Sequence, residues 1–150
     1  MSDLEIRRAT RADVPAIIAM LRDDDLGATR ESTPDDPIYL DAFDAVAADP
    51  RQWLVVGVRS ASVVACLQLT IVAGLSRRGA RRALIEAVRV RSDQRGGGLG
   101  ATLIGWAVEK ARAEGCAMVQ LTTDRSRVDA HRFYERIGFV GSHLGYKMML

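Results

Sequence analysis

Between residues 90 and 100 the chain reads Val-Arg-Ser-Asp-Gln-Arg-Gly-Gly-Gly-Leu-Gly, and this is where its residue types most plainly allow chemistry. Glycines let a backbone turn tightly and approach a ligand with no Cβ in the way. A helix-patterned stretch follows, and the first amides of a helix are unpaired and carry partial positive charge. Arg95, Gly96, Gly97, Gly98, Leu99 and Gly100 could therefore cradle a pyrophosphate. Arg95 can add charge-assisted hydrogen bonds at the entrance. A P-loop is excluded because no Gly-Lys-Ser/Thr follows. The spacing Gly96-x-Gly98-x-x-Ala101 also matches a dinucleotide fingerprint, and an unliganded glycine turn is the bland alternative. Glu86 is a single acid in the apolar run Leu-Ile-Glu-Ala-Val-Arg-Val, where a carboxylate is uncommon unless paired.

The surrounding pattern supplies elements to hold these groups. Residues 4–8 alternate as a half-buried strand does, and Thr10 with Asp13 resembles a capping box ahead of a helix to about Leu21. Residues 23–37, polar and with two prolines, read as a loop before a second helix at 38–48. Residues 53–58 and 63–72 read as a hairpin, 76–82 as a basic loop, and 83–90 as a further strand. A helix over 99–114 has Leu103, Ala107, Val108 and Ala111 on its inner stripe and ends at Gly115. A strand at 116–122, a helix at 128–137 and one or two final strands in 139–150 complete the order. It predicts one α/β domain over 1–150, with a mixed sheet and a right-handed crossover through the 99–114 helix.

Composition narrows the class. The 150 residues are 48% apolar and 27% charged, as in ordinary soluble domains. A net charge of +2, from 21 basic against 19 acidic residues, argues against a nucleic-acid partner. No stretch approaches the roughly 20 apolar residues of a membrane span, and the first residues lack the apolar core of a secretory signal. A cytoplasmic location without membrane contact is expected. Cys66 and Cys116 show no metal-ligand spacing and are expected to be buried, inert thiols; no metal is expected.

Arg95-x-x-Gly98-x-Gly100 after a strand ending in Val90 resembles the coenzyme A pyrophosphate loop of the GNAT superfamily of N-acetyltransferases. Residues 6–13, Ile-Arg-Arg-Ala-Thr-Arg-Ala-Asp, are similar to the family's opening. Residues 130–139, Ala-His-Arg-Phe-Tyr-Glu-Arg-Ile-Gly-Phe, are similar to its closing signature. The resemblance covers nearly the whole chain. It implies a mixed sheet of six or seven strands, splayed in the middle and flanked by about four helices. It implies acetyl-CoA as acyl donor, with pantetheine along Val88, Arg89 and Val90 and the pyrophosphate on residues 95–100. Glu86 would be the base for the amine and Tyr134 the acid for the leaving thiolate. Arg127 stands where the family often has Asn, and could reach a phosphate. The acceptor would be a small-molecule or peptide amine, and a homodimer is possible. A coenzyme A sensor of the same fold and a small dinucleotide-binding protein are the alternatives. His131 reads as a helix-satisfying residue. The acids at 23–25, 31, 35 and 36, and Arg77, Arg78, Arg81 and Arg82, read as solvated loops that leave the acceptor's charge open.

Overall fold

A computed structural model of the chain describes residues 3–150. The chain forms two compact units, Met1–Gln120 and Leu121–Leu150. The first holds β1 (Glu5–Arg8), α1 (Val14–Arg22), α2 (Asp25–Arg30), α3 (Ile38–Ala48), β2 (Gln52–Arg59), β3 (Ser62–Val72), α4 (Ser76–Gly79), β4 (Arg81–Val90), α5 (Leu99–Ala113) and β5 (Cys116–Gln120). The sheet order is β1-β2-β3-β4-β5. The first three pairings are antiparallel, and β4 pairs β5 in parallel through the α5 crossover.

Burial follows the pleat. Ile17 and Met20 of α1 cluster with Val56 and Cys66 on one face. Strand side chains alternate, so the fully buried Leu67 and Leu69 face the other way and need a second cover. Helix α5 packs on β3, β4 and β5 and buries Leu103, Ala107 and Ala111. The near-continuous apolar run of β3 is thus that of a strand covered on both faces. Gly115, at φ +76°, closes the C-terminal end of α5.

At the start of α1, Asp13 is buried and is held by Arg7 and Thr10. Arg7 donates to both its carboxylate oxygens at 2.7 and 3.1 Å, and the Thr10 amide donates at 2.7 Å. The Arg7 guanidinium keeps the Asp13 carboxyl below its ordinary range; burial works against it, and the Thr10 amide helps.

Several expectations are corrected. The described residues hold five strands, not six or seven, because residues 139–150 form no strand. A strand exists only with a partner, and residues 143–150 make no backbone hydrogen bond among the described residues. The described residues hold six helices rather than about four. Helix α2 lies in the expected loop, capped by Asp24 accepting from the Gly27 amide. Helix α4 is a single turn with Arg77 and Arg78 in left-handed backbone, and β4 already begins at Arg81. In the second unit, α6 (Val128–Arg136) ends before Gly138, at φ +105°. Among the described residues no helix is long and apolar enough to cross a membrane.

Asp13→Asn should lower stability by about 1–3 kcal/mol, since Arg7 and the Thr10 amide lose a charged acceptor. The wild-type contribution is present above the unfolded carboxyl value of about 3.9 and fades as pH falls through the lower folded value. Urea unfolding of both proteins at pH 7 and at progressively acid pH should show the difference shrinking with acid.

Candidate active site

Strand β4 is irregular where the chemistry was expected. Its register on β3 jumps from Gln68↔Glu86 to Cys66↔Arg89, so Ala87 and Val88 together face Leu67. This is a bulge, and Ala87 sits at φ +52°, a conformation that disfavours any residue with a Cβ. The Cys66 thiol donates to the Ala87 carbonyl at 3.4 Å. Burial pushes that thiol up to about 12, with nearby Arg89 acting the other way, so Cys66 stays protonated and inert. Pairing with β5 ends at Leu84↔Gln120, six residues before β4 stops at Val90. Among the described residues, 85–90 therefore pair with β3 on one edge and with no strand on the other.

The glycine turn lies directly beyond. Gly96 and Gly98 take φ +81°, and Gly98 caps α5. The Arg95 amide reaches the Ser92 carbonyl at 3.5 Å. Among the described residues, the amides of 96–100 find no backbone acceptor. Arg95 bends back, its Nε donating to the Val90 carbonyl at 3.0 Å, while Arg89 Nη1 donates to the Val88 carbonyl at 2.9 Å.

Two acids meet these arginines. Asp24 lies 3.5 Å from Arg89 and Asp23 lies 3.7 Å from Arg95, so the turn between α1 and α2 is tied to β4 and to the glycine turn. Sequence reasoning took both acids for solvated loop residues; the short α2 that aims them is too brief to show a period. The Arg89 Nε is buried with no hydrogen-bond partner. A cavity of about 550 Å³ opens nearby, lined by Met20, Arg22, Asp23, Val63 and Arg91 among others.

Glu86 was expected in a buried strand, or paired with an arginine of the basic loop. It is exposed, and among the described residues it makes no hydrogen bond or ion pair. The structure thus brings Glu86, Val88, Arg89, Val90, Arg95 and Gly96 to Gly100 together in one continuous run of the first unit. The remaining candidates belong to the second. Tyr134 is half-buried, edge-on to Phe133 (5.1 Å) and Phe139 (5.7 Å). Arg127 caps α6. His131 Nε2 donates to the Asp124 carbonyl at 2.8 Å, so it closes the turn before its own helix.

A mixed sheet with a bulged, partly unpaired β4 that leads through a glycine turn into a helix is the arrangement that the family resemblance implies. The Acetyltransferase (GNAT) family matches residues 17–139, and the chain belongs to that family. It is similar to the aminoalkylphosphonate N-acetyltransferase of Salmonella typhimurium LT2, at 30% identity over 97% of this chain and 91% of the relative. Among solved structures, a transcriptional regulator from Bacillus halodurans C-125 is 42% identical, with a TM-score of 0.95 over 98% of this chain and 99% of that one. A putative acetyltransferase from Agrobacterium tumefaciens C58 is 28% identical, with a TM-score of 0.86 over 97% and 99%. The chain is an N-acetyltransferase, and the small dinucleotide-binding reading is set aside.

Gly27 holds the Asp24 cap in place, and a Cβ built there would stand 1.8 Å from the Leu21 carbonyl oxygen. Gly27→Ala should therefore displace α2 and cost about 2 kcal/mol or more. Chemical denaturation should show a lower midpoint, and a midpoint equal to wild type would contradict the packing described.

Proposed function

We propose that the chain, acting as one domain over residues 1–150, transfers the acetyl group of acetyl-CoA to the primary amine of a small molecule by direct attack in a ternary complex. The observation that carries this reading is the run of amides at 96–100, which find no backbone acceptor among the described residues, at the start of α5 and beside the part of β4 that does not pair with β5. Those amides, with Arg95, suit a diphosphate. The free edge at Val88, Arg89 and Val90 suits the amide-bearing arm of the same molecule. Arg127 is assigned to a phosphate. No metal enters the reaction as proposed.

Coenzyme A, when bound, supplies an acetyl thioester. An alkyl amine has a pKa near 10.4, so giving up its proton near neutral pH costs about 4 kcal/mol. Glu86, exposed and without an internal partner, is suited to take that proton through water. The amine nitrogen then attacks the thioester carbonyl. Collapse of the tetrahedral adduct breaks the carbon–sulfur bond, and the Tyr134 hydroxyl donates its proton to the departing thiolate. An ordinary phenol ionises near 10 and an ordinary thiol near 8.5, so proton transfer between groups of these kinds is accessible.

For the acceptor, the Salmonella relative is named for aminoalkylphosphonates, and that class is the first to test. Asp24 beside Arg89 and the Glu31 carboxylate held by the Tyr39 hydroxyl at 2.7 Å leave the acidic stretch less free to attract a polycation. This favours a small amine with its own anionic group.

Thiol release from acetyl-CoA should be measured against a panel of aminoalkylphosphonates, amino sugars and polyamines. Tyr134→Phe and Glu86→Gln should each lower kcat by about 10²- to 10⁴-fold with little change in the KM for acetyl-CoA. Absence of thiol release with every amine of the panel, together with retained coenzyme A binding, would favour a sensor. Gly98→Ala should weaken coenzyme A binding about tenfold by calorimetry, since forcing a Cβ into this backbone costs about 1–2 kcal/mol.

A further inference from the structure

In β3 a polar side chain, Gln68, stands between the buried Leu67 and Leu69. By strand alternation it shares the face of Cys66, which packs under α1. Gln68 is directly opposite Glu86 in the β3–β4 ladder. Gln52 of β2 pairs with Thr70 and so lies on the diagonal from Gln68. Opposed and diagonal residues of antiparallel strands share a face and come within side-chain reach. Gln52, Gln68 and Glu86 therefore make one polar row across β2, β3 and β4 of the first unit.

The row has a direction. Asp49, at the C-terminal end of α3, accepts from the Arg51 amide at 2.9 Å and from Gln52 Nε2 at 3.3 Å. These bonds, the Arg51 amide first, hold the Asp49 carboxyl below its ordinary range. A carboxylate only accepts, so Gln52 keeps its NH2 towards Asp49 and its carbonyl oxygen towards Gln68. That oxygen takes the Gln68 NH2 at 2.5 Å. The Gln68 carbonyl oxygen is then the end of the relay, an acceptor set beside Glu86. An ionised Glu86 is itself only an acceptor, so the two cannot satisfy each other. Among the described residues of the first unit, no donor reaches either of them. The group that fits both carries positive charge and several N–H bonds.

We propose that the Gln68 carbonyl oxygen binds the acceptor amine alongside the Glu86 carboxylate, with Gln52 and Asp49 as positioning residues that hold it in the accepting orientation. The inference rests on the acetyl-transfer reading above and adds to it the group that selects the nucleophile. A primary ammonium brings three N–H bonds. One proton is lost towards Glu86, and its electron pair becomes the attacking lone pair. A second N–H stays on nitrogen and donates to Gln68, so the nucleophile remains held as it is freed. An alcohol of the same shape has a single O–H and leaves one of the two oxygens without a donor. The pair thus selects amines over alcohols.

Steady-state kinetics with the best amine of the panel above test this. Gln68→Leu should raise the KM for the amine by about tenfold or more, the worth of one hydrogen bond to a charged group, and leave the KM for acetyl-CoA unchanged. Asp49→Asn acts only through the relay: an amide at that position can donate, so Gln52 turns over and Gln68 presents its NH2 instead. It should raise the amine KM by about threefold or more, again with no change for acetyl-CoA. Combined with Gln68→Leu, it should add nothing to that variant's amine KM, because the oxygen it orients is gone. Circular dichroism and urea midpoints report whether each variant folds, and Asp49→Asn carries the test if Gln68→Leu does not. Glutamines that merely pair with each other would shift the urea midpoint and leave the amine KM alone. That result, with wild-type turnover present, overturns the inference and leaves the acetyl-transfer reading standing. Absence of wild-type turnover with every amine overturns both.

Discussion

A strand can serve two neighbours only while its own backbone keeps their register, and β4 stops doing so at Ala87. The extra residue opposite Leu67 turns the backbone, and pairing with β5 has already ended at Leu84. Holding an alanine at φ +52° costs about 1–2 kcal/mol. The surroundings fix it there: Leu67 and Ile85 are buried on either side, the Cys66 thiol bonds the Ala87 carbonyl, and the Arg91 amide returns to the Val64 carbonyl at 2.8 Å. The sheet thus absorbs the cost, and the gain is a run of strand backbone exposed along one edge.

The glycine turn is useful only because that edge points into it. Helix α5 is held by its buried stripe and, at its far end, by Lys110, whose ammonium lies 4.8 Å from the Trp53 ring. With the helix fixed, its first amides are fixed too, and the positive φ of Gly96 and Gly98 lets the chain arrive without covering them. An anion placed there gains from several short-range contacts of about 0.3–2 kcal/mol each, so convergence matters more than any single donor.

Much of this was legible in the sequence because it is written in long periods and in glycine. Helix α5 declared itself by its stripe and by Gly115, and β2 and β3 by their β-branched runs. The bulge was not legible, since an alanine in left-handed backbone carries no mark of its own. Helix α2 was missed because six residues are too few for a period and its Asp24 cap looked like one more acid in a polar loop. Glu86 was expected to be buried on the strength of apolar sequence neighbours, but a strand alternates faces, and its side of β4 is exposed. The C-terminal residues were correctly patterned for a strand and wrongly expected to form one within the chain, because pattern specifies a face while pairing depends on where a partner lies.

Charge at the glycine turn is balanced in the structure as it stands, and that sets how a ligand must compete. Arg95 has Asp23 and the Val90 carbonyl, and Arg89 has Asp24 and the Val88 carbonyl. A diphosphate arriving at the turn therefore exchanges one set of contacts for another rather than adding to an empty site. The Asp23–Arg95 pair is about half exposed on both sides and worth little, so it yields readily. The Asp24–Arg89 pair is more enclosed, at 26% and 16% exposure, and is anchored by the α2 cap, so it persists. On the reading proposed above, Arg95 would act as the contact that is exchanged and Arg89 as the one that is kept, so that a ligand with adjoining charges would gain over one with a single charge.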